Sequence, residues 1–129
     1  FKLRQEVFVA ELQLEPLFAG YSSARAAVRY HPIPRFPAVE RDFSLLLADG
    51  TPFADVEGAI RSLGIAEVAG IEAVDLFRGG GQVPKGKYSL LVRVTLQSAE
   101  GTFTEAQLSD FSARIIAALE KNAGAILRM

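Results

Sequence analysis

The chain has 129 residues, half of them hydrophobic and 22% charged, and a formal net charge of −1, enough for one domain of ordinary size and a short extension. With no cysteine and a single histidine, His31, disulfides and thiolate metal sites are excluded, and a histidine-based zinc site or catalytic triad has too few ligands. The near-neutral charge argues against an indiscriminate nucleic-acid coat while leaving room for a local basic patch.

No apolar run approaches the ~20 residues needed to cross a bilayer, and no signal peptide is visible after Phe1-Lys2-Leu3-Arg4. The lack of an initiator methionine suggests a piece of a longer polypeptide, and the lack of cysteine fits a reducing cytosol.

In chain order, Val7 to Leu14 is expected to form a strand, and Glu15-Pro16-Leu17-Phe18-Ala19 a helical turn ending at Gly20. Residues 1–28 then read as the tail of a preceding module. Residues 29–40 read as a linker stiffened by Pro32, Pro34 and Pro37, because proline fixes φ and biases its predecessor towards extended backbone. His31 sits in that linker as a loop residue.

The compact domain is expected over residues 41–129. Arg41 to Ala48 alternates, with Phe43, Leu45 and Leu47 on one side, and Asp49-Gly50 turns the chain. A helix follows, with Thr51 as N-cap, Pro52 in the first position and Gly64 as the stop. Phe53, Val56, Ile60 and Leu63 step by three and four as its buried stripe. Ile71 to Arg78 reads as a second strand, Gly79 to Gly86 as a loop and Lys87 to Ser98 as a third strand. The second helix enters through a Thr104/Gln107 capping box with Phe103 and Leu108 as its staple. It buries Leu108, Phe111, Ile115 and Leu119 and ends at Gly124, before a short last strand from Ala125 to Arg128.

This order is the split β-α-β arrangement of an α+β, ferredoxin-like sandwich: a four-stranded antiparallel sheet with two helices on one face. Each helix has one apolar stripe, so both cover the same side and the other side stays open. Strand parity assigns the faces. Tyr88, Leu90, Val92, Val94 and Leu96 belong to the core. Ser89, Leu91, Arg93, Thr95 and Gln97 belong to the open side, with Asp42, Ser44 and Leu46 from the first strand. In the second strand Val74 and Leu76 face the helices, and Ala73, Asp75 and Phe77 face outward.

Composition allows a solvated face with Asp75 and Arg93 as an ion pair. Yet Leu76 to Ala99 carries four basic residues (Arg78, Lys85, Lys87, Arg93) and no acidic one, a positive field beside an aromatic ring. Stacking on aromatics with phosphate contacts from Lys and Arg is how such sheets hold single-stranded RNA. The loop Gly81-Gln-Val-Pro-Lys-Gly86-Lys87 matches a phosphate loop through its lysine. Tyr88 follows, however, where a Mg²⁺-binding Ser or Thr is required, and a strand follows instead of a helix. A glycine-rich hairpin connection is the better reading. Asp49 and Asp55 lie where capping and dipole roles outweigh acid-base chemistry.

With these residues in view, the chain resembles the C-terminal end of bacterial phenylalanine–tRNA ligase β subunits. The resemblance rests on Tyr30-His-Pro-Ile-Pro-Arg-Phe-Pro-Ala-Val-Glu-Arg-Asp42, Asp75-Leu-Phe-Arg-Gly79, Pro84-Lys-Gly-Lys-Tyr-Ser-Leu90, Leu119-Glu-Lys121 and Ala125-Ile-Leu-Arg128. It covers roughly residues 29 to 129, and residues 7 to 18 resemble the tail of the catalytic-like module of that subunit. It implies a ferredoxin-fold anticodon-binding domain that grips the anticodon stem-loop of tRNA(Phe) without a catalytic residue or cofactor of its own. The site for ATP, Mg and phenylalanine would lie on other domains of a cytoplasmic heterotetramer, with the α subunit and the rest of the β subunit as partners. It further implies that Asp75, Phe77 and Ser89 lie at the anticodon, with Ala38 and Arg41 nearby. Arg78, Lys85, Lys87 and Arg93 are the phosphate contacts the basic run suggests. The family more often has Tyr at the position of Phe77, and the glycine loop here is one residue longer. The rival readings are a ferredoxin-like amino-acid regulatory domain, with a cleft near Gly64 and Gly70, and a structural docking domain.

Overall fold

The computed structural model describes residues 7–25, 33–81 and 83–128, in two compact units, residues 1–33 and residues 34–129. In the first unit Val7 to Gln13 forms no regular element, and helix α1 runs over Leu14–Arg25. The strand expected over residues 7 to 14 is therefore absent, and the helix does not stop at Gly20. A strand needs ladder partners for its N–H and C=O groups, and the described residues of this unit offer none. One glycine costs a helix about 1 kcal/mol relative to alanine. That does not end a helix whose Leu14, Leu17, Phe18 and Tyr21 fall on one stripe. All four side chains are exposed. The linker residues Arg29 to Pro32, including His31, lie outside the described residues.

The second unit has the expected order: β1 (Val39–Ala48), α2 (Phe53–Arg61), β2 (Val68–Arg78), β3 (Lys87–Leu96), α3 (Glu105–Ala123) and β4 (Ile126–Leu127). The strands form one antiparallel sheet in the order β2-β3-β1-β4. β1 and β2 each start earlier than the alternation suggests, at Val39 and Val68. The inward sides of β1 and β3 are apolar over their central and later pairs: Phe43, Leu45 and Leu47 oppose Val92, Leu90 and Tyr88, and all six are at most 4% exposed. Val56 and Ile60 of α2, and Leu108, Ile115 and Leu119 of α3, complete the core from the helix side.

Local chemistry sets the ends of the helices. The capping box of α3 is present: the Gln107 N–H donates to Thr104 Oγ1 at 3.3 Å, and the Thr104 N–H donates to Gln107 Oε1 at 2.9 Å. Phe103 meets Phe111 edge-on, with ring centroids 5.9 Å apart, and Gly124 closes the helix at φ 59°. The start of α2 differs from expectation. Pro52, with extended backbone, is the N-cap, and Thr51 lies outside the helix. A residue before proline is pushed out of helical backbone, and the Thr51 carbonyl instead accepts from the Tyr88 hydroxyl at 2.6 Å. That bond satisfies the polar end of a buried ring.

The second strand carries the other correction. β2 is irregular between Val68 and Gly70 and again between Ala73 and Asp75. Ala73 consequently pairs with Val92 and lies on the helix side, not the open side, while Glu72 opposite Arg93 takes an open-face position. Val74 is the extra residue, and beyond it Asp75 and Phe77 pair with Leu91 and Ser89 on the open face as expected. Among the described residues no helix is long and apolar enough to cross a membrane.

Two substitutions test this account of stability. Ile115→Ala, at a fully buried position, is expected to lower unfolding free energy by about 2–5 kcal/mol. Thr104→Ala, which removes one half of the capping box, is expected to cost about 1 kcal/mol. Denaturant titration with an unchanged slope is the check, and a neutral Ile115→Ala would mean that α3 does not close this core.

Candidate functional site

On the open face the register places side chains in rows across β2, β3 and β1. Phe77, Ser89 and Leu46 form one row, Asp75, Leu91 and Ser44 the next, and Glu72, Arg93 and Asp42 a third. Beside β1, Ile126 pairs with Leu46, and the Arg128 N–H donates to the Ser44 carbonyl at 2.8 Å. The rows divide the face into two chemically different halves.

One half is a depression of about 430 Å³, walled by Phe77, Asp75, Ser89, Leu91, Ser44 and Arg128, with the glycine loop as its rim. Gly79 and Gly80 turn that rim at φ 77° and 64°, backbone that other residues rarely adopt. The loop leads directly into β3, so it is the hairpin connection expected and presents no helix N-terminus. Phe77 is 62% exposed beside the depression, whereas Ser89 is only 8% exposed. The Ser89 hydroxyl oxygen accepts from Arg128 Nη1 at 3.2 Å. Asp75 Oδ1 accepts from the Leu76 N–H at 2.8 Å, and Asp75 has no ion pair among the described residues.

The other half is an ion cluster. Arg93 Nε and Nη2 donate to the two oxygens of Asp42, each at 2.8 Å, and Arg93 Nη1 lies 3.2 Å from Glu40 Oε2. The Asp75–Arg93 pair that composition allows is not formed; Arg93 forks onto Asp42 instead, which it faces directly in the register while Asp75 lies one row away. The Arg93 hydrogen bonds hold the Asp42 carboxyl below its ordinary value; partial desolvation opposes this, and the Arg93 charge adds to it. In return, those hydrogen bonds and the charges of Asp42, Glu40 and Glu72 raise the Arg93 guanidinium further above its ordinary range.

The remaining residues expected at the site are scattered. Lys87 opposes Ala48 on the open face, and Lys85 is exposed in the loop; neither has an ion pair among the described residues. Arg78 lies opposite Tyr88, on the helix side. It pairs with Asp49 at 3.0 Å and stacks over the Tyr88 ring at 5.0 Å. Burial raises the Tyr88 hydroxyl above its ordinary value; the Arg78 charge opposes this, and Asp49 and Asp55 reinforce it. Arg41 opposes Val94, also on the helix side, with Nη2 3.3 Å from Glu105 Oε1. Its Nε is buried without a partner. Ala38 is exposed just before β1, six residues and so roughly 20 Å along the strand from Ser44. The structure therefore gathers Asp75, Phe77 and Ser89, puts Lys87 two residues from Ser89 on the same face, and leaves Ala38, Arg41 and Arg78 away from the depression.

Arg128 is the residue sequence reading missed. It was visible as part of a closing strand, but a two-residue strand is too short for its parity to be read. A second depression, of about 450 Å³, lies by the link between α2 and β2, lined by Glu67, Gln97, Ser98, Glu100, Phe103 and Gln107 among others. Three of its polar residues are engaged within the protein. Gln97 Nε2 donates to the Phe36 carbonyl at 2.8 Å, Gln107 serves the α3 cap, and Ser98 Oγ accepts from the Glu100 and Gly101 N–H groups.

Comparison with known proteins gives a consistent result. Residues 34–128 match the family model described as "Ferredoxin-fold anticodon binding domain". The chain is 38% identical over 128 residues to the phenylalanine–tRNA ligase β subunit of Geobacter sulfurreducens, covering 99% of this chain and 16% of that protein. It is 32% identical over 128 residues to the β subunit of Clostridium tetani, covering 99% and 16%. It is 41% identical over 100 residues to that of Moorella thermoacetica, covering 78% and 12%. The chain thus spans about one sixth or less of the length of these relatives.

The Asp42–Arg93 fork makes a prediction with a definite sign. A carboxyl whose folded value is lowered contributes stability that is complete above its unfolded value, near 3.8, and is lost as pH falls through the lowered one. Arg93→Ala should move the Asp42 titration midpoint up towards 3.8 and make stability less steep in pH below that value. Carbon-detected NMR titration of the Asp42 carboxyl reads it, and an unmoved midpoint would detach the shift from Arg93.

Proposed function

The chain belongs to the ferredoxin-fold anticodon binding domain family, and from that premise we propose that it binds the anticodon stem-loop of tRNA(Phe). In this proposal it does so as a non-catalytic part of a cytoplasmic phenylalanine–tRNA ligase β subunit. The observation that carries the proposal is the exposed Phe77 ring beside a depression holding Asp75 and Ser89. An unpaired base stacks on Phe77, which every base can do through its π face. Asp75 accepts from base N–H groups and Ser89 bonds a base edge. Lys85 and Lys87, free of ion pairs among the described residues, meet phosphates.

Arg93 takes a different part from the one its charge first suggests. A guanidinium forked onto Asp42 and drawn to Glu40 has little field left for phosphate, so it acts as a strut between β3 and β1. Arg78 likewise ties the end of β2 to the turn at Asp49. Activation of phenylalanine and transfer to tRNA belong to the rest of the ligase, with the α subunit and the remainder of the β subunit as partners. Residues 1–28 are proposed as the tail of the module that precedes this domain. The exposed stripe Leu14, Leu17, Phe18 and Tyr21, and alignment of that segment with the relatives outside the family match, support it. The amino-acid regulatory alternative is not favoured, because the family model matched and the relatives are those of a tRNA ligase.

Fluorescence titration of a labelled tRNA(Phe) anticodon stem-loop tests the proposal. Phe77→Ala should weaken binding about 5- to 150-fold, the equivalent of ~1–3 kcal/mol for one stacked base, while Phe77→Tyr should keep the stacking. Binding by the parent chain should fall with added salt as phosphate contacts are screened. Equal affinity of the parent and Phe77→Ala would remove the stacking site.

A further inference from the structure

We infer that Arg128 is a specificity-determining residue of the depression, holding the Ser89 hydroxyl in place and itself donating to an acceptor on the edge of the base stacked on Phe77. The inference rests on the RNA-binding proposal above and adds the cation that a reading of strand parity does not supply.

The geometry sets the roles. β4 is the edge strand beyond β1, so a side chain of Arg128 that reaches Ser89 on β3 must cross over β1. It does reach it, with Nη1 3.2 Å from Ser89 Oγ, and its backbone N–H on the Ser44 carbonyl at 2.8 Å anchors its root. Guanidinium groups donate and never accept. A Ser89 oxygen that accepts from Arg128 therefore has its own hydrogen free to donate. Ser89 becomes a donor of set direction rather than a free rotor, and the hydroxyl is nearly buried, where such a bond is least screened.

Arg128 has five N–H donors in a planar fork, and one engages Ser89. No carboxylate pairs with it among the described residues, in contrast to Arg93, Arg78 and Arg41. Arg128 lines the same depression as Asp75, Phe77 and Leu91, which leaves its remaining donors available to a ligand there. A base lying on Phe77 presents its edge towards this floor, while its phosphates stay outward, nearer the loop lysines. Donors from Arg128 and Ser89 with the acceptor Asp75 form a mixed pattern that reads a base edge bearing both acceptors and N–H groups, and rejects edges lacking one kind.

The test uses the 129-residue chain and the labelled stem-loop, with loops substituted at each unpaired base. Arg128→Ala should weaken binding about tenfold, the size expected for a charge-assisted hydrogen bond, and should reduce discrimination at one loop position. Arg128→Lys keeps the charge but not the fork and should rescue little. In a double-mutant cycle with Ser89→Ala, the two single losses multiplied should exceed the loss of the double variant by at least about twofold. The slope of log affinity against log salt should stay unchanged in Arg128→Ala. Thermal midpoints verify folding; the backbone bond to Ser44 does not involve the Arg128 side chain.

A slope smaller by about 0.7, as for one lost phosphate contact on a single strand, with uniform loss across the loops or full rescue by lysine, would overturn the assignment. So would unchanged binding by Arg128→Ala where the parent chain binds, and that result would leave the RNA-binding proposal standing. No binding by the parent chain would remove both.

Discussion

The pairing of β1 with β3 is the constraint on which the rest of the domain depends. Ten residue pairs run in unbroken register from Val39–Leu96 to Ala48–Lys87, and the alternate pairs on the inward side are apolar from Phe43–Val92 to Leu47–Tyr88, with Arg41–Val94 the one charged exception before them. A one-residue slip would carry those side chains into water and bring Ser89 and Arg93 under the helices. The register is therefore held by burial on one side. Because it is held there, the identity of every neighbour on the open side follows as a consequence, including the rows that hold Ser89 and Arg93.

Charge is distributed on that open side by the same register. Asp42 opposite Arg93, and Glu72 on the other flank, form a closed cluster in which a guanidinium meets more carboxylate than it can balance. This end of the face carries net negative charge and repels phosphate. At the other end Lys87 and Arg128 remain without ion pairs among the described residues, near the exposed Phe77 ring. The sheet thus has a polarity along its strands, with its unpaired cations towards the glycine loop and its excess of carboxylates near the start of β1. Net charge, at −1, hides this separation completely.

The arginines illustrate how topology redistributes chemistry. By composition, Arg78 and Arg93 belong to one basic run with Lys85 and Lys87. In the folded domain Arg78 lies on the helix side against Asp49 and the Tyr88 ring, and Arg93 is forked onto Asp42. Arg128, 51 residues from Phe77 in the chain, takes the position beside the ring's depression. Ion pairs form between strand neighbours, and strand neighbours are set by sheet order, so a run of like charges in sequence is no guide to the field in space.

Much of the fold was legible beforehand because it is written in local periodicity. The stripes Val56–Ile60 and Leu108–Ile115–Leu119, the Thr104/Gln107 cap and the alternation of β3 each depend on neighbours a few residues away, and all appear as expected. Asp75, Phe77 and Ser89 could be placed on the open face from parity alone. What parity could not see was Ala73, since the irregularity at Val74 inserts a residue that shifts the count; Asp75 and Phe77 came out right because they lie beyond it. The strand expected over residues 7 to 14 failed for a related reason, as alternating apolar residues make a strand only where a partner ladder exists. Sequence alone therefore decided which segments bury an apolar side. Tertiary structure alone decided which charges meet across strands, because hydrogen-bonded pairing joins residues that no spacing along the chain relates.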